Sequence, residues 1–352
     1  MKTSAPNINS VFSLKRVLIP IAIGIGFSAY SLWASKFDLN VLQGIEVSLH
    51  YILLALCCMV MRDLMYIIRI RILTENQLSW MDSWHVVMLW EFASSVTPSM
   101  VGGSVFAIYF INQEGLTLGK STAIALTTAM LDEIFYILAV ALLLMIVGTN
   151  LVHFGDSLPF DPMFFFFLGY AVIIAMTAGI TLGIFVAPHG IKKLLVKLFS
   201  ISFLKKWRPK MEKTGDELIM ASVELKGKPF GYWAKAFIAT AFTWTARFMV
   251  LNFLILAINP ELGFNLMQQL LFFAKQLVMW VILMISPTPG ASGIAEISFT
   301  AFFRHDFPEH TQAAVAVLWR AISYYPYLAI GLMVLPVWLR KIQVNLYQKN
   351  PK

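Results

Sequence analysis

The stretch Ser286-Pro287-Thr288-Pro289-Gly290-Ala291-Ser292-Gly293-Ile294-Ala295-Glu296 lies inside an otherwise apolar tract, residues 264–303. Two prolines and two glycines there cannot remain in regular helix, because proline lacks the backbone donor and glycine resists helical order. Lipid cannot satisfy the amide and carbonyl groups that a break frees, so broken backbone at membrane depth is confined to protein-buried or wet places. The stretch therefore marks a candidate site. A second break, Thr97-Pro98-Ser99-Met100-Val101-Gly102, repeats the Thr-Pro-x-x-x-Gly spacing of Thr288 to Gly293 in the other half of the chain. Paired interrupted segments in corresponding places point to a transporter binding site.

Working outward, the composition allows only a membrane protein. With 59% hydrophobic residues, 13% charged and a mean hydropathy of +0.73, the chain is too apolar for water and holds several tracts of spanning length. The net charge of +8 falls into particular loops, so it reads as a topology signal and not as a nucleic-acid footprint. Cys57 and Cys58 are adjacent on one apolar helix and point in different directions, which makes a disulfide between them unexpected. No metal or cofactor is expected, since the histidines are scattered without ligand spacing. The segment from Gly115 to Ser121, GLTLGKS, has one residue too few between its glycines for a phosphate loop.

The fold class that follows is an all-α polytopic membrane protein, with six spans at residues 17–34, 45–68, 121–147, 163–187, 236–258 and 310–339. Residues 80–112 and 264–303 read as two oppositely oriented broken hairpins, giving an inverted repeat if the second does not cross the bilayer. The arm before the second break is long enough to cross, so that choice stays open. Arg69 and Arg71 are assigned to a loop after the second span, and Arg62 and Asp63 to anchoring its end. The loop at residues 148–162 has no Lys or Arg, whereas residues 192–235 have eleven. The first is expected outside and the second inside, with both termini cytoplasmic and the inner (plasma) membrane as the location. Residues 1–352 are expected to form one integral domain: residues 1–187, a basic loop at 188–235, and residues 236–352. Within that loop, residues 191–207 read as an amphipathic helix on an anionic lipid surface and residues 211–225 as a second short helix.

The run Pro287 to Glu296, the order of spans, and the Thr-Pro-x-x-x-Gly-Gly break before an Ala-rich helix resemble the transmembrane region of the lysylphosphatidylglycerol synthase family. That family's usual pattern, Pro-x-Pro-Gly-Gly-x-Gly followed shortly by Glu, is met here except that Ala291 replaces a Gly. In two-part members the membrane region acts as a flippase for aminoacylated phospholipid, and a cytosolic domain performs the aminoacyl transfer. Because this chain ends at Lys352 soon after its last span, the resemblance implies translocation without synthesis. At the first break the family commonly has an acidic residue and then an Arg; Ser104, Ala107 and Ile108 stand in that region here, which leaves the headgroup open.

The residues themselves supply candidate binding groups. Helices are expected to start at Val105 and Ile294, and their N-termini attract anions. Thr97, Pro98, Gly102, Gly103 and Ser104 at one break, and Thr288, Pro289, Gly290, Ser292 and Gly293 at the other, would shape a polar pocket. Ionisable groups within spans cost about 3 kcal/mol each and so face cavities or pair with one another. Lys275 and Arg320 are candidates for a lipid phosphate, with structural pairing as the alternative. Glu296 is either a substrate contact or a cap at the helix start. Asp132, Glu133 and Arg247 are candidates for ion pairing or for carrying a coupling proton, with at most one of the adjacent Asp132 and Glu133 facing any one cavity.

The function expected is a flippase moving an anionic or zwitterionic lipid, phospholipid or polyprenyl-phosphate-linked, between leaflets. The alternatives are a secondary transporter of a small anion and a membrane-embedded lipid-phosphate transferase. Enzyme activity is not expected, because Asp132 and Glu133 alone are thin support for acid-base chemistry. The expected partners are the lipid substrate and the anionic membrane surface, without nucleic acid; a homo-oligomer stays open.

Overall fold

The computed structural model of the chain describes residues 22, 25–27, 29–30, 33, 47–97, 99–148, 162–201, 205–284, 286–304, 306–307 and 311–349. Among these the chain is all-α. The helices are α1 (Leu49–Leu73), α2 (Trp80–Val96), α3 (Ser99–Gln113), α4 (Leu118–Val147), α5 (Pro162–Thr181), α6 (Pro188–Leu198), α7 (Arg208–Lys226), α8 (Phe230–Ile258), α9 (Leu266–Met284), α10 (Ile294–Phe302), α11 (Gln312–Ser323) and α12 (Tyr325–Lys349). Among the described residues six stretches are long and apolar enough to cross a membrane: α1, α4, Phe166–Val186, α8, α9, and Gln312–Val344. Five of them overlay expected spans; the other is α9, the long arm of the second broken segment. The expected first span, residues 17–34, lies largely outside the described residues.

The arrangement is centred on α8, which packs against α1, α4, α9 and α11 and is the most enclosed of the spanning helices. Its inner face is apolar, with Val250, Leu251, Leu254 and Ile255 fully buried. The two broken segments both fold back on themselves. Thr97 leaves α2 in an extended conformation (φ −104°, ψ 147°), and α3 returns beside α2. Their approach is close enough that a Cβ on Gly103 would lie 2.0 Å from Ser94 Oγ. In the second segment α10 returns along α9, bringing Phe303 within 6.4 Å of Phe272, centroid to centroid.

Several expectations are corrected. The helix after the first break starts at Ser99, not at Val105, so Gly102 and Gly103 lie within its opening turns, and Gly103 serves close helix packing. The second span continues to Leu73 through Arg62 and Arg69, because a charge with a buried partner need not end a helix. The last span is two helices broken at Tyr324 (φ −130°, ψ −56°), two residues before Pro326. Proline is accepted in the first turn of α12 but disfavours helix before it. The amphipathic helix is shorter than read, ending at Leu198, and α7 runs longer, from Arg208.

Outside the spans, α7 seals the start of α4. A Cβ on Gly119 would meet Glu217 at 2.3 Å, and Gly119 N–H donates to Glu217 Oε2 at 3.0 Å. The phosphate-loop-like segment thus presents its helix N-terminus to a carboxylate of the same chain.

Candidate functional site

Both breaks line one cavity of about 260 Å³: Ser94, Ser95, Thr97 and Ser104 from the first, Gly290 and Ala291 from the second. The sequence explains the second tip locally. Gly290 and Gly293 adopt φ of +55° and +84°, where glycine is at ease, but Ala291 also sits at φ +55°. Thr288 Oγ1 donates to Ser292 O at 2.8 Å, and Ala291 N–H donates to Thr288 O at 3.0 Å, so the loop satisfies much of its own backbone. Glu296 then caps α10, accepting from Gly293 N–H at 2.7 Å.

A strut of buried polar contacts joins this tip to the first. Arg320 Nε lies 3.2 Å from Glu296 Oε1, while its Nη2 donates to Gly290 O and Ser292 Oγ, both at 3.0 Å. The guanidinium lies 3.7 Å from the centroid of the Tyr324 ring, whose hydroxyl donates to Ser95 O at 3.0 Å. Gly290 is required at this contact as well as for its φ: a Cβ there would lie 2.3 Å from the Tyr324 ring. The break in the last span therefore places Tyr324 between the two tips.

Among the described residues six charged side chains line the cavity, three basic and three acidic: Arg69, Arg247, Arg320, Glu91, Asp132 and Glu133. Four are matched within the protein. Arg62, itself fully buried, places Nη2 2.5 Å from Glu91 Oε2 and bonds to Tyr327. Arg69 pairs with Asp132, which also accepts from Trp244 Nε1 at 2.7 Å. Arg320 pairs with Glu296. Two are not matched. Arg247 lies over the faces of Trp280 and Trp244, 4.9 and 5.3 Å from their centroids, with no carboxylate in ion-pair reach among the described residues, Glu91 and Asp63 acting on it from farther off. Glu133 has only Thr177 Oγ1, at 2.8 Å. Asp132 and Glu133 both face the cavity, against expectation, because the cavity wraps around one edge of α4 and receives side chains separated by one helical step.

Of the other sequence candidates, Thr97 and Ser104 line the cavity with Gly290 and Arg320. Thr288, Pro289, Ser292, Gly293 and Glu296 shape the second tip behind its lining, and Lys275 is turned away to bond Asp306. Gly103 packs against Ser94; the side-chain surroundings of Gly102, and Pro98 altogether, lie outside the described residues. Sequence reasoning missed Arg62, Arg69, Tyr324 and the Trp244 and Trp280 pair. The signal for the arginines was present, as charges inside a spanning helix, and Tyr324 was marked by Pro326.

Asp82, His85 and Glu114 bring potential ligand atoms within 4.8 Å of one another. Lys341 already bonds both carboxylates there, so an ammonium occupies the position a cation would take.

An all-α bundle of spanning helices, with two folded-back broken segments sharing a charged internal cavity, defines a multi-pass membrane protein. The chain belongs to the family described as lysylphosphatidylglycerol synthase TM region, whose model matches residues 17–331. It is similar to a UPF0104 membrane protein of Archaeoglobus fulgidus, 24% identical over 278 residues that cover 76% of this chain and 80% of the relative. No solved structure matches it.

Proposed function

We propose that the chain moves a lipid with an anionic phosphate headgroup between the leaflets, with Arg247 receiving the phosphate in the cavity between the breaks. The observation that carries this reading is a cavity-lining guanidinium that forms no ion pair or hydrogen bond with a described residue. Arg247 is half-buried, and its donors are spent on no described residue, so an anion entering the cavity can take them. Arg offers a planar fork suited to phosphate, and the two indole faces fix its orientation without spending its donors. Family membership supports lipid over other phosphate carriers. The broken segments are proposed to be re-entrant, approaching from opposite leaflets, with both termini cytoplasmic in the plasma membrane. The lysines of α6 beside its exposed Leu194 and Leu198 would rest on anionic headgroups.

The test is reconstitution into phosphatidylcholine vesicles carrying tail-labelled phosphatidylglycerol, with leaflet exchange read by chemical quenching of the outer label. Loss of a charge-assisted hydrogen bond is worth about 1.5–3 kcal/mol, so Arg247→Gln should slow exchange by roughly 10- to 150-fold at unchanged thermal stability. The same vesicles given labelled inorganic phosphate outside serve as the second arm. Uptake of free phosphate without lipid exchange would replace this reading with that of a small-anion transporter.

A further inference from the structure

Glu133 is the acidic counterpart of Arg247: a cavity-lining carboxylate without a cation in ion-pair reach among the described residues. Its sole partner is unusual in its proton count. Thr177 Oγ1 lies 2.8 Å from Glu133 Oε2 and also 2.8 Å from Ile173 O, one turn earlier on α5. A hydroxyl has one proton, and the Ile173 carbonyl can only accept. If Thr177 donates to Ile173, the bond to Glu133 needs a proton from the carboxyl; if Glu133 is ionised, Thr177 turns its proton toward it. The same atoms at the same spacing therefore serve both protonation states. Asp132, one residue earlier, has no such freedom, being fixed by Arg69 and Trp244.

We infer that Glu133 carries a proton linked to the substrate: an anionic headgroup arriving at Arg247 binds with uptake of one proton from cavity water onto the Glu133 carboxyl, released when the headgroup leaves. This rests on the translocation reading and adds its coupling ion. The physical cause is like-charge repulsion, since an ionised Glu133 would share the cavity with the phosphate. The other groups around α4 do not substitute for it. From α8 comes Arg247; from α1, Arg69, tied to Asp132, and Tyr66; from α2, Glu91, tied to Arg62. From α5, Tyr170 donates to Ile137 O, and on α4 itself Tyr136 donates to Leu277 O. On α9 the neighbour lining the cavity is the neutral Gln276, Lys275 being bonded to Asp306. From α3 the lining group is Ser104, and the acids Glu217 and Glu224 of α7 contact α4 at Gly119 and Lys120, more than three turns from Glu133.

Two measurements test this. In the first, infrared difference spectra of the purified protein between acid and alkaline pH should contain a protonated-carboxyl stretch that Glu133→Gln removes and Thr177→Val shifts. In the second, phosphatidylglycerol exchange by the wild type should fall at least about fivefold as pH rises through that titration, the low end of site-to-site coupling. Glu133→Gln should hold the acid-side rate at every pH. An unchanged pH profile in Glu133→Gln, or an infrared difference that the substitution leaves intact, overturns the inference. So does a flat phosphatidylglycerol profile with selective loss of phosphatidylethanolamine exchange in Glu133→Gln, which would assign the carboxylate to a headgroup ammonium. Absence of any lipid exchange by the wild type, with the Glu133 signal present, would instead overturn the translocation reading.

Discussion

Breaking the Glu296–Arg320 pair separates a structural arginine from a substrate-binding one. Both side chains are buried, at 1% and 6% exposure, so water screens their interaction little. Glu296→Gln keeps an oxygen for the Gly293 N–H cap but leaves the guanidinium without its counter-charge. Arg320→Gln does the reverse and also removes the bonds to Gly290 O and Ser292 Oγ. Removing one member of a buried pair costs about 3–5 kcal/mol, a large share of a typical stability of about 5–15 kcal/mol. The double variant leaves no orphaned charge and loses chiefly the two hydrogen bonds, at about 1 kcal/mol each. Its loss should then be about 2–3 kcal/mol, well short of the roughly 6–10 kcal/mol obtained by adding the single variants. Unfolding free energies from denaturing-detergent titrations in mixed micelles give the cycle directly. Single variants that add to within about 0.5 kcal/mol would refute the strut, because independent sites behave that way. Arg320→Gln with full stability and no lipid exchange would move Arg320 into the substrate path.

Two further outcomes are expected. Ala291→Gly relieves a left-handed conformation that costs an L-residue about 1–2 kcal/mol, offset by about 0.4–1 kcal/mol of added unfolded-state entropy, so the thermal midpoint should rise slightly; a fall would place the loop in another conformation. Outside the spans, Glu224 lies against Glu75 with Lys120 and Lys228 bridging both, which holds it down from 4.5 to about 2. A depressed carboxylate adds stability that is present above its unfolded value and lost as pH falls through its folded one. Lys228, raised by the bond to Glu75, adds stability that persists below its ordinary 10.5 and is lost only as pH rises through its higher folded value. Protection of α7 from hydrogen exchange should thus hold from neutral pH to about 4.5 and decline toward 2; steady decline starting near neutrality would contradict it.

Much of the architecture was legible because hydropathy and proline placement act locally. The tract from Leu118 to Val147 had to be a spanning helix, and Pro287, Pro289 and the glycines had to break theirs. Gly290 was legible as a tip residue, whereas its second role, admitting the Tyr324 ring, depends on a helix far along the chain. The last span was misread as continuous since Tyr324 and Tyr325 are compatible with an apolar helix, and the weight of Pro326 shows only once Tyr324 turns toward Ser95. Arg69 was misplaced for the opposite reason: hydropathy scores an arginine as an end of span, while the fold gives it Asp132 and Thr240.

The candidate site was less legible because hydropathy assigns the same penalty to every deep charge, and only tertiary pairing separates them. Lys275 and Arg320 looked best for phosphate by flanking the second break, yet the fold commits them to Asp306 and Glu296. Arg247 and Glu133 were marked only as ionisable residues in spans, but they are the cavity charges that form no ion pair with a described neighbour. A matched pair such as Arg69 and Asp132 recovers its desolvation cost inside the protein and needs nothing further to explain it. A cavity-facing charge outside any ion pair stays open to a ligand, and one of each sign in the same space suits a mobile anion and a mobile positive charge. The phosphate and the proton fill those two places, which ties the substrate reading and the coupling reading to a single pattern of pairing.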